Sequence, residues 1–124
     1  MADDIKPPYW IGSAKKDLKA FPLPVKRVMT FAILEAQKGR KHPDTKPFKG
    51  FGGSGVLEVV DDYDGDTYRA VYTVNFQDVV FVLHCFQKKS KQGIKTPQQD
   101  IELIHERYKR AEQLYQSGEW RNGI

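Results

Sequence analysis

Apolar positions along this chain recur with helical spacing in two places and crowd into strand-like runs in three. Val25, Val28, Met29, Ala32, Ile33 and Ala36 follow the i, i+3, i+4, i+7 pattern of one buried helix face. Lys26, Arg27, Thr30 and Lys38 fall outside that stripe, Pro24 suits the first helical turn, and Gly39 is a C-cap. Ahead of this helix, Tyr9, Trp10 and Ile11 read as an edge strand. Ser13 reads as the N-cap of a short helix running to Phe21, where Pro22 and Pro24 stop it. Residues 40–55 read as a loop rich in Lys, Pro and Gly. Strands are then expected over residues 56–60, 68–76 and 79–87, the last two rich in β-branched and aromatic side chains. An acidic turn, residues 61–66, separates the first two. Gln77 and Asp78 alone separate the last two, a link short enough to demand an antiparallel hairpin. Thr96 as N-cap, Pro97 at the first helical position and Gln99 closing a capping box begin a final helix. Its face of Ile101, Ile104, Tyr108, Ala111 and Tyr115 is expected to lie across the sheet, and Gly118 ends it. Residues 1–8 and 118–124 are expected to be loose. The sum is one α+β domain over residues 1–124: a small antiparallel sheet, two N-terminal helices and one C-terminal helix.

Composition narrows the function classes. A chain of 124 residues buries roughly two-thirds of its unfolded surface and needs no metal or disulfide to hold a core. Cys85 is the only cysteine, which excludes an intramolecular disulfide and a cysteine-built zinc site. It lies in an apolar run and reads as a small core residue. The start, MADDIKPPYW, lacks the basic and apolar regions of a signal peptide, and no apolar run approaches the ~20 residues that span a bilayer. A cytoplasmic protein without a membrane segment is expected. The 20 Lys and Arg against 16 Asp and Glu leave a net charge of +4, which permits a polyanionic partner without demanding one.

Two motifs are false leads. Gly50, Gly52 and Gly55 satisfy G-x-G-x-x-G, but a dinucleotide site needs a buried strand before and a helix after, and here a strand follows. The DDYDGD turn lacks the spacing and terminal Glu of a calcium loop. No cofactor and no metal are expected. The distribution of cations is more informative. Lys88, Lys89, Lys91 and Lys95 occupy half of residues 88–95 with no acid among them, between a buried strand and a helix N-terminus whose dipole also favours anions. Lys49 joins this phosphate-binding set from the preceding loop. Arg69 sits inside an apolar strand, where it needs either a carboxylate, with Glu58 available, or a functional surface. His84 is expected on the face of Val82 and Phe86, opposite Cys85, as a satisfied structural residue or as a general acid or base. Arg, Lys and His suit metal-free RNA cleavage, in which a 2′-hydroxyl attacks the adjacent phosphate and cations stabilise the phosphorane.

The stretches YWIGSAKKDLKAFP, KPFKGFGGSGVLEV and YRAVYTVNFQDVVFVLHCFQKKSKQGIKTPQQDIELIHERYKRA cover most of residues 9–111. Together they resemble the phage-derived, HigB-like branch of the RelE/ParE toxin superfamily; the strand followed by FQKKS, KTP and an amphipathic helix is the most specific part. The resemblance implies a RelE-like fold and a type II toxin that cuts messenger RNA at the ribosomal A site. It also implies neutralisation by a helix-turn-helix antitoxin. By position, Arg69 matches the family's strand arginine, which contacts the scissile phosphate, and Lys88 matches the basic residue after the last strand. Lys89 and Lys95 belong to the same surface. Many relatives carry an arginine where this chain has Val60, and RelE uses lysines on that strand where this chain has none, so the resemblance implies either a different catalytic set or weak activity. Two other readings share the fold: a ParE-like toxin that acts on DNA gyrase without cutting RNA, and a non-catalytic RNA-binding phage protein.

Overall fold

The apolar runs of residues 56–88 form the centre of a five-stranded sheet in the order β1 (Pro8–Trp10), β5 (Val80–Lys88), β4 (Asp66–Thr73), β3 (Val56–Tyr63), β2 (Thr45–Pro47). The structure, a computed structural model, describes residues 5–49, 51, 55–88 and 96–124. β3 (Val56–Tyr63) and β4 (Asp66–Thr73) are longer than expected at their shared end, because the turn between them contracts to Asp64 and Gly65. Both take positive φ, 52° and 85°, as a two-residue hairpin turn requires. β5 (Val80–Lys88) pairs with the other side of β4.

Each edge of the sheet carries a three-residue strand. β2 (Thr45–Pro47) lies in the segment expected to be loop. The Thr45 hydroxyl lies 3.2 Å from the buried Tyr72 hydroxyl, and buried Phe48 donates its backbone N–H to Val56. These anchors hold a strand too short to show a period, and Pro47 is tolerated because it sits at an edge. β1 (Pro8–Trp10) pairs parallel to β5. The sheet is thus antiparallel across β2 to β5, as expected, and mixed overall. The parallel pairing is possible because a long crossover separates β1 from β5.

Two cores lie on opposite faces. α1 (Ala14–Lys19) and α2 (Leu23–Gln37) cover one, burying Leu18, Val25, Met29 and Ile33 against Val59, Tyr72, Val82 and Cys85. α3 (Gln98–Ser117) covers the other, burying Ile104, Ala111 and Leu114 against Val71, Phe81 and Leu83.

Four local expectations are corrected. Pro97, not Thr96, is the N-cap of α3, and no side-chain cap bond is made there. The β4–β5 connection occupies residues 74–79 rather than two residues. Phe76 leaves the ladder to pack on Phe81, Tyr108 and Tyr115, so an apolar residue that looks like strand is core. The C-terminal segment is not loose: after Gly118, at φ 79°, a 3-10 turn (Glu119–Gly123) inserts Trp120, 4% exposed, into the α3 core. Finally, the β4–β5 register jumps from Val71↔His84 to Tyr72↔Val82. Leu83 is the extra residue of a bulge, which breaks strict alternation. Val82 therefore packs with Cys85 on the α2 side, while His84 joins Phe86 on the α3 side, not Val82 as expected.

A candidate cationic face on the sheet

On the α3 face, long charged side chains from four neighbouring strands form a diagonal row. Lys46 of β2 stands directly opposite Glu58 of β3, with Nζ 4.0 Å from Oε1. Arg69 of β4 is paired with Val60, one diagonal step from Glu58, and its Nη1 donates to Glu58 Oε2 at 2.9 Å. Lys88 of β5 is paired with Thr67, one diagonal step from Arg69. Such diagonals lie about 7–8 Å apart at the backbone, within reach of Arg and Lys side chains. Glu58 is thus a carboxylate held between two cations, with a third beyond.

The members differ in access. The Arg69 and Glu58 side chains are 4% and 6% exposed, whereas Lys46 is 54% exposed. Arg69 meets the carboxylate that the sequence offered it, and its charge is a fixed part of the floor of this face. Lys88 is half-buried, and burial together with the Arg69 cation lowers its pKa below that of an ordinary lysine. Lys46 is the exposed cation of the row, and Lys88 stands half-buried at the other end of it, with the buried Arg69–Glu58 pair between them.

His84 belongs to a different set of contacts. Its Nε2 lies 2.8 Å from Asp100 Oδ1, its Nδ1 lies 3.4 Å from Arg107 Nη1, and its ring stacks on Phe86 at 4.6 Å. The arrangement fits a neutral ring that donates from Nε2 and accepts at Nδ1. Burial lowers its pKa, and the Asp100 bond only partly offsets this. Arg107 also donates to the Leu83 carbonyl at 2.8 Å and reaches Ser13 at 3.3 Å, so the network ties α3 to the bulge and to the start of α1. Both ring nitrogens face protein groups, the structural of the two roles open to this histidine. Cys85 is buried and its thiol is pushed up to about 12 by that burial, so it is not a nucleophile.

Of the expected site residues, Arg69 and Lys88 share the row, His84 lies on the same face under α3, and Lys49 is exposed beyond β2. Lys89, Lys91 and Lys95 lie outside the described residues. Lys46, Asp100 and Arg107 escaped the sequence reading. For the last two a signal existed: Asp100, Ile104, Arg107 and Ala111 fall at i, i+4, i+7 and i+11, which places two charges on a buried stripe. Among the described residues no group of His, Cys, Asp or Glu could hold a metal ion, and no helix is long and apolar enough to cross a membrane.

Fold and site together define a small α+β protein that presents a cationic sheet face. The chain belongs to the Gp49-like family of phage-derived proteins, whose model matches residues 16–109, a span that contains the whole row together with His84, Asp100 and Arg107. The match agrees with the phage-derived resemblance read from the sequence. Among solved structures, the chain is similar to one in the toxin–antitoxin complex RelBE2 from Mycobacterium tuberculosis, with 16% identity over 69% of this chain and 94% of that one and a TM-score of 0.44. No curated protein matches.

Proposed function

We propose that this chain is the toxin of a type II toxin–antitoxin pair, and that it cleaves messenger RNA in the cytoplasm on the ribosome. The observation that carries the reading is the Lys46–Glu58–Arg69–Lys88 row: an exposed lysine and a half-buried one flanking a buried, carboxylate-held guanidinium on one sheet face. Membership of the phage-derived family and the resemblance of residues 68–111 to HigB-like toxins support it. In this reading Lys88 contacts the scissile phosphate and Lys46, at the far end of the row, a phosphate further along the strand. Arg69 contributes its field from below, and the basic segment with Lys89, Lys91 and Lys95, together with Lys49, tracks the flanking backbone. The 2′-hydroxyl gives its proton to water and attacks the adjacent phosphate, the P–O5′ bond breaks, and the 5′-oxygen takes a proton from water, leaving a 2′,3′-cyclic phosphate and a 5′-hydroxyl; the cations stabilise the charge gathered on the phosphorane, each worth on the order of 10²–10³ in rate. His84 positions α3 rather than moving the proton. A helix-turn-helix antitoxin is the partner.

The test is induction in a bacterial host, followed by growth measurement and primer extension on an abundant transcript. Growth arrest with cuts inside translated codons is expected. Lys46→Ala and Lys88→Ala together should reduce cutting by about 100-fold or more, with circular dichroism unchanged. Cutting that persists in the double variant removes the site assignment. Arrest with intact transcripts and a DNA-damage response would favour a gyrase poison, and no arrest would favour a non-catalytic RNA-binding protein.

A further inference from the structure

α2 has a second apolar stripe, opposite the one it buries. Leu23 and Phe31 are 55% and 51% exposed, unusual for such large apolar side chains, and Leu34 lies beside them. Leu23, Arg27, Thr30, Phe31 and Leu34 fall at i, i+4, i+7, i+8 and i+11, so they share one side of the helix. With Lys26 they line a shallow groove of about 370 Å³. The buried stripe of Val25, Met29, Ala32, Ile33 and Ala36 points the other way, into the core between α2 and the sheet. Phe31 meets the His42 ring edge-on at 5.5 Å, yet half of its surface stays open, and Leu23 is left more open still. An exposed apolar strip rimmed by polar groups is the mark of a protein-binding surface.

The charges around the strip select its occupant. Lys26 and Arg27 line the groove and Lys38 follows at the end of the helix. The only acid on α2 is Glu35, which is paired with Arg40 at 3.4 Å. A second copy of this chain would bring Lys26 and Arg27 against their own kind. RNA would satisfy the cations but leave Leu23, Phe31 and Leu34 unmatched. An amphipathic helix with apolar residues at i, i+4 and i+7 and acids along its edges satisfies both. We infer that the outer face of α2 is the docking surface for an acid-flanked amphipathic helix of the antitoxin, an inference that rests on the toxin reading above. The sheet lies between this surface and the Lys46–Arg69–Lys88 face, because α2 and α3 pack on opposite sides. A helix seated there leaves the cationic face uncovered.

The probe is the protein encoded by the neighbouring reading frame, titrated calorimetrically into the full chain. Phe31→Asp, at an exposed position, should weaken binding about 100-fold, as expected of a central apolar anchor. Lys26→Glu with Arg27→Glu should weaken it about 10-fold and flatten its salt dependence. Lys88→Ala, on the other face, should leave it unchanged. Binding that is equal for wild type and Phe31→Asp overturns the surface and leaves the toxin reading standing. A neighbouring protein that fails to bind wild type overturns the antitoxin pairing and the surface together. A dimer in sedimentation that Phe31→Asp makes monomeric overturns the inference in favour of self-association. An RNA oligonucleotide whose binding falls with the charge reversals but not with Phe31→Asp overturns it in favour of RNA.

Discussion

Arg69 and Glu58 form a buried ion pair in which each charge depends on the other. Both charges are removed from water at a cost of several kcal/mol each, and their 2.9 Å contact offsets part of it. Removing one partner is therefore worse than removing both. Glu58→Ala should destabilise by about 3–5 kcal/mol in urea unfolding. Glu58→Leu with Arg69→Met should cost much less than the sum of the single changes, and additive losses would show that the pair is not coupled. His84 makes a second prediction at this scale. Burial lowers its folded-state pKa below the ordinary 6.5, so below that pH the unfolded chain binds a proton that the folded chain resists. Stability should fall as pH drops from about 6.5 through the folded pKa. His84→Gln should flatten that slope in urea titrations at several pH values. A slope unchanged by the substitution would mean that other groups set it.

At the scale of elements, the long periodic segments were legible and the short, tertiary-held ones were not. α2 and α3 announce themselves through stripes of Val, Ile, Met and Ala, and β3 to β5 through runs of Val, Tyr and Phe. β2 was hidden because three residues show no period; Tyr72 and Val56, distant in sequence, hold it. The bulge at Leu83 was equally invisible, since it is fixed by register against β4, and it moved His84 relative to Val82. Of the site, Arg69 and Lys88 were legible as misplaced or clustered cations. Lys46 was not, because its place in the row depends on the hidden β2. The C-terminal turn is the clearest case of polar sequence concealing order, since Trp120 enters the core near Tyr115 and beneath Arg121. Trp120→Ala should cost about 3–5 kcal/mol, the usual loss for a buried aromatic. Thermal or urea unfolding would show it, and a loss below about 1 kcal/mol would mean that the segment contributes little to the fold.

For the whole molecule, the sheet acts as a partition. One face is devoted to the α1 and α2 core; the other gives part of its area to α3 and the rest to the charged row. Apolar packing on both faces of β4 and β5 supplies the rigidity, and the cations are spaced by strand geometry rather than by flexible loops. That division predicts how RNA binding should respond to salt. Lysines that neutralise phosphates release counterions, and on a single strand the slope of log K against log salt is about 0.7 per phosphate contacted. Lys46→Ala and Lys88→Ala should each reduce that slope by about 0.7 if each contacts one phosphate of a short single-stranded RNA. Glu58→Gln should instead raise affinity at every salt concentration, because it removes the one acid in the row while leaving Lys46 and Lys88 in place. Fluorescence anisotropy between about 0.05 and 0.2 M salt reads both effects. A slope left unchanged by the two lysine substitutions would mean that phosphate does not sit on this face, whatever the chain does to its target.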